Sequence, residues 1–136
     1  MNTDKDRILE GFRVMAWNKP FNWENHNCVT YSLSILTALY DLTFEDFPDF
    51  KGASKLEYFK IMKAKPLNEY AEEKFGKPLT TVKLARKGDL VMEGYGLEQN
   101  VGICYGKGMT LFPKENGLLT VPLHKCTYAW SMKHYG

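Results

Sequence analysis

Of the three cysteines in this chain, Cys28 has the placement that most invites chemistry. A helix is expected to begin there, with Asn27 as its N-cap, and to run to about Tyr40. A thiol in a first helical turn meets unpaired backbone N–H groups and the positive end of the helix dipole. Both favour the thiolate, the form a nucleophile needs. The same position heads an apolar stripe of Cys28, Ser32, Ile35, Leu36 and Leu39, so a buried packing thiol is the competing assignment. His26, two residues earlier, is a candidate base if its loop folds back, and otherwise a residue that fixes the loop by a hydrogen bond. Cys104 is expected on the same strand face as Asn100, as a second thiol or a small core residue. His124 and His134 are expected at the surface.

An odd number of widely spaced cysteines, with no Cys-x-x-Cys pair, argues against a disulfide framework. The histidines add no metal-ligand spacing, so reduced thiols, no metal and no cofactor are expected. Gly94-Tyr95-Gly96 and Gly106-Lys107-Gly108 lack the context of a phosphate loop and read as turns.

The elements that must position Cys28 fall into two blocks. Thr3 caps a first helix with Ile8, Leu9, Phe12 and Met15 on one face. Residues 18–27 form a loop before the Cys28 helix. An acidic connection bearing Asp41, Glu45, Asp46 and Asp49 follows, and then two short helices. One, capped by Ser54, carries Leu56, Phe59 and Met62. The other spans about Pro66 to Phe75 and is stopped by Gly76. Short strands with turn signals follow at 90–92, 101–105, 109–112, 118–121 and 127–132, an antiparallel meander. Helices first and strands afterwards make an α+β domain spanning residues 1–136, with no internal boundary.

The 136 residues are 44% hydrophobic, 25% charged and carry net charge +2. That excludes a disordered chain, and the near-neutral balance excludes a dedicated nucleic-acid binder. No apolar run reaches the ~20 residues of a membrane span, and none resembles a signal segment, so cytosolic synthesis without an encoded export route is expected. Aromatic residues make up 14%, a surplus that must pack a core or make contacts. Phe21, Trp23, Phe44, Phe47 and Phe50 lie in two connections, where interface roles are expected. A lysine-rich stretch from Lys51 to Lys65 beside the acidic connection is a solvated face or a complementary docking surface.

Three segments in order carry a resemblance: Asn27-Cys28 opening a helix, Gly88-Asp89-Leu90-Val91 on a strand, and Asn100-Val101-Gly102-Ile103 on the next. They resemble the NlpC-type cysteine peptidases, whose pattern is Asp-Cys, Gly-Asp-Leu-Val and His-Val-Gly-Ile. The run from Phe21 to Met132 is similar to a small phage-encoded branch found in tail gene clusters. That branch is matched by Pro20-Phe21-x-Trp23, His26-x-Cys28, Gly117-Leu118, Val121-Pro122-Leu123 and Ala129-Trp130. The resemblance implies a papain-like fold, with helices packed on a C-terminal antiparallel sheet or small barrel. It also implies peptide-bond cleavage in bacterial cell walls.

Two departures qualify that implication. Asn100 stands where an active member carries its catalytic histidine, and an amide cannot take a proton from a thiol. Asn27 replaces the aspartate before the cysteine. The expectation is therefore a structural component of a tailed-phage tail, at the tip or baseplate, with a degenerate site of Cys28, His26 and Asn100. It would be assembled in the host cytoplasm, reside in the virion and contact other tail proteins and a cell-wall peptide. The alternative is an active cell-wall peptidase, with His26 or a neighbouring subunit supplying the base.

Overall fold

A computed structural model describes residues 3–16, 28–44, 47, 55–95, 99–114 and 117–133. Among these residues four helices come first: α1 (Thr3–Ala16), α2 (Cys28–Tyr40), α3 (Lys55–Ala64) and α4 (Leu67–Phe75). Five strands follow: β1 (Leu90–Glu93), β2 (Asn100–Gly106), β3 (Met109–Lys114), β4 (Gly117–Pro122) and β5 (Tyr128–Trp130). Among the described residues two short 3-10 turns, Val82–Leu84 and Leu123–Lys125, interrupt the second block. The α+β class expected from the order of patterns is the class observed.

The sheet is antiparallel, in the order β4-β3-β2-β1-β5. Strands β1 to β4 form the expected meander, but β5 returns to pair with β1, aligning Leu90 with Trp130 and Val91 with Ala129. The Leu123–Lys125 turn carries the chain back, and the Asp89 carboxylate then accepts the Met132 N–H at 2.9 Å, fixing the end of the returning strand.

Strand alternation divides the core in two. Leu90, Met92, Val101, Ile103 and Trp130 face the helices and pack with Leu9, Val29, Ile35, Leu36, Met62, Leu67 and Ala71. Val91, Cys104, Phe112 and Ala129 face the other way, under Leu79, Val82, Ala85, Leu123 and Cys126. Helix α2 carries no charged residue and buries Val29, Ser32, Ile35, Leu36 and Tyr40, while Ser34, Thr37 and Ala38 face out. Burying each of Val29, Ile35 and Leu36 contributes about 1.5–3 kcal/mol. Gly76 ends α4 as expected, with φ 87° and its N–H donated to Glu72 at 2.8 Å.

Helix α3 carries Leu56, Phe59 and Met62 but does not bury all three. Met62 is buried, whereas Leu56 is 65% and Phe59 37% exposed. An apolar step of three residues drifts round a helix, so positions 56 and 62 lie about 120° apart and cannot share one buried face.

The acidic connection brings a second correction. Phe47 was expected at an interface, but it is 8% exposed. Its ring meets Phe44 edge-on at 5.3 Å and Tyr70 at 5.8 Å. Phe44 is partly buried against the helical core and Phe75, with the Lys74 ammonium 5.2 Å from its ring. These rings pin the connection onto α4, and Phe47 is interior packing. Phe21, Trp23, His26, Asn27 and Phe50 lie outside the described residues.

Candidate functional site

Helix α2 begins at Cys28, as the pattern predicts. One turn later the buried Ser32 hydroxyl donates to the Val101 carbonyl at 3.1 Å, fastening the start of α2 to the start of β2. At the far end of α2 the Tyr40 hydroxyl donates to the Gly88 carbonyl at 3.1 Å, and the Gly88 N–H donates to Cys104 at 2.8 Å. The helix and β2 therefore run side by side in the same direction. Cys28 and Asn100, the first residues of the two elements, lie at the same end of the molecule.

Asn100 is the last residue of the β1–β2 register, opposite Glu93. Its amide donates to the Glu93 carboxylate at 3.3 Å. Alternation places this pair on the face shared by Gly102 and Cys104, opposite the face on which Val101 and Ile103 meet α2. Beside them Gln99, almost fully buried, donates to the Asn68 side chain at 2.8 Å and accepts from the Asn68 N–H at 3.3 Å. The first turn of α4, whose N-cap Pro66 offers no side-chain acceptor, thereby gains one from outside its own segment. Neither amide–partner pair was anticipated from sequence; the turn signals between β1 and β2 carried the only hint of the Glu93–Asn100 register.

The Gly88-Asp89 pair does different work. Asp89 is buried at the C-terminal end of α2, about 18 Å along that helix from Cys28. Its carboxylate accepts the Arg86 N–H at 2.8 Å as well as that of Met132. Gly88 has φ +94°, and a Cβ there would lie 2.5 Å from the Tyr40 hydroxyl. This pair is a structural joint. Desolvation and then the Asp89 charge push the Tyr40 phenol up to about 12.

Cys104 shares the Asn100 face, as alternation predicts, and is buried. Burial pushes its thiol up and pushes that of Cys126 up to about 11, so both stay protonated and suit packing. His124 is exposed on the second 3-10 turn. Among the described residues no group of three or more His, Cys, Asp or Glu could hold a metal ion, and no helix is long and apolar enough to cross a membrane.

These features define a small α+β domain in which a cysteine-led helix lies along the central strands of an antiparallel sheet. Residues 4–132 match the profile of DUF6950, described as a domain of unknown function, and the chain belongs to that family. No curated protein matches it.

Proposed function

We propose that this domain is a non-catalytic structural or assembly component of a tailed-phage tail, at the tip or baseplate, on a papain-like NlpC-type scaffold with a degenerate site. The phage setting rests on the resemblance of the motif run. The observation that carries the loss of catalysis is the Asn100–Glu93 hydrogen bond. At the position where the resemblance places a general base there is an amide, and its N–H is committed to a carboxylate across the hairpin. Other tail proteins are its partners, and the Cys28 end of the molecule is suited to hold a cell-wall peptide without cutting it.

The second reading, an active cell-wall peptidase with Cys28 as nucleophile, is favoured by one observation. Helix α2 starts at Cys28, and the Ser32–Val101 bond fixes that start against β2. The pH dependence of Cys28 alkylation, with cleavage assays on purified cell-wall peptides, separates the two. The scaffold reading expects an ordinary thiol profile, no turnover, and infectious particles carrying Cys28→Ala. Asn100→His tests the site itself: Asn100 lies on the sheet face opposite α2, so a shift of the alkylation profile to lower pH would show that an imidazole at position 100 reaches Cys28. Turnover by wild type that Cys28→Ala abolishes would establish the peptidase. An unchanged profile in Asn100→His would remove Asn100 from the site.

A further inference from the structure

Charge is divided between the two blocks of the fold. Residues 1–75 hold ten Lys and Arg against twelve Asp and Glu, while residues 76–136 hold eight against four. Of those four carboxylates, Asp89 is buried and Glu93 is half-buried and bonded to Asn100. Glu98 and Glu115 lie outside the described residues.

The basic groups gather where the two 3-10 turns touch, over the sheet face away from the helices. Lys83 and Leu84 on the first turn and His124 and Lys125 on the second are exposed, and so is Arg86. Leu84, at 56% exposure, sets an apolar contact among them. Across the sheet, α4 exposes Glu69, Glu72 and Glu73, spaced three and four residues apart along one side of the helix. Two nearby lysines face ring systems: Lys65 pairs with Glu73 at 2.6 Å and lies 4.3 Å from the Tyr70 ring, and Lys74 lies over Phe44.

We infer that these two surfaces are halves of one interface, and that the basic 3-10 face of one copy docks on the acidic α4 face of a second. Because the two patches lie on opposite faces of the sheet, one pair of molecules cannot satisfy both at once. The contact is heterologous and head-to-tail, and it closes into a ring or continues as a stack. Electrostatic complementarity sets its register, while the small area of a nine-residue helix against two short turns makes it weak and salt-sensitive. This inference does not depend on the phage or peptidase readings.

The test is sedimentation velocity on the full chain over a concentration series, at about 0.02 M and about 0.5 M salt. Reversible association at low salt that disappears at high salt is expected. A basic-face variant, Lys83→Glu with Lys125→Glu, and an acidic-face variant, Glu69→Lys with Glu72→Lys, are each expected to remain monomeric. Mixed in equal amounts, the two are expected to associate again, because each swapped face now meets its complement. Circular dichroism melting of each variant at wild-type temperature keeps the result independent of misfolding. A monomer at every concentration and low salt overturns the inference, as does a mixture that stays monomeric. Retention of the monomer on a heparin column, without self-association, would reassign the basic face to polyanions and equally overturn it.

Discussion

Asp89 shows how a short motif can be kept for architecture. Both of its carboxylate oxygens accept backbone N–H groups, from Arg86 and Met132, and it sits near the C-terminal end of α2 rather than near Cys28. Asp89→Ala strips the buried Met132 N–H and the part-buried Arg86 N–H of their partner, and an orphaned buried donor costs about 1–3 kcal/mol, a part-buried one less. The expected result is a loss of roughly 2–4 kcal/mol in urea unfolding, with Cys28 reactivity unchanged in the folded protein. A Cys28 alkylation rate that changes with the mutation in folded protein would place Asp89 in the site after all. Cys28 as a helix start was legible in the sequence, because a cap residue followed by an apolar stripe is a local signal. The partner of Asn100 was not legible, because Glu93 reaches it only through the strand register. Phe47 misled for a related reason. Phe44 is its neighbour in the same connection, but Tyr70 comes from α4, which only tertiary packing brings against it.

At the scale of elements, α1 is clasped to the sheet through charge. The Glu10 carboxylate accepts from Arg13 and from the Tyr105 hydroxyl at the end of β2, and Lys87 pairs with Asp6 at 2.7 Å. The Lys87 ammonium also lies 5.1 Å from the Tyr105 ring. The Arg13 hydrogen bond, followed by that from Tyr105, lowers the Glu10 carboxyl to about 2, while the same carboxylate pushes the Tyr105 phenol up. A carboxyl whose folded value lies below its unfolded value of about 4.3 stabilises the fold above that value, and the contribution fades as pH falls towards 2. Glu10→Gln is therefore expected to flatten part of the acid limb between about pH 4 and 2, read as urea midpoints against pH for both proteins. Identical acid limbs would show that the clasp contributes nothing to stability. The elements themselves were largely readable, since α2, α4 and the first four strands follow their apolar periods and Gly stops. The 3-10 turns and the β5 pairing were not. A three-residue turn has no period, and the choice between β4 and β1 as neighbour depends on where the chain crosses.

For the molecule as a whole, the order of the strands governs when the sheet can close. β1 is an inner strand only because β5, which follows β1 to β4 along the chain, covers its outer edge. A chain ending at Thr127 is expected to expose the backbone of Leu90 to Met92 as an open edge and to lose the Met132 anchor on Asp89. Light scattering should then report aggregation, suppressed by adding a peptide of residues 128–133. A monomeric truncation with an unchanged melting curve would mean that β5 is dispensable. On the ribosome the same topology imposes a wait. Helices α1 to α4 and strands β1 to β4 emerge before the segment that seals them, so Leu90 must stay out of wrong pairings until Trp130 has been synthesised. The vulnerable moment for this domain is the interval between the emergence of β4 and that of β5, when a nearly complete sheet still offers the edge of β1 to any neighbouring nascent chain.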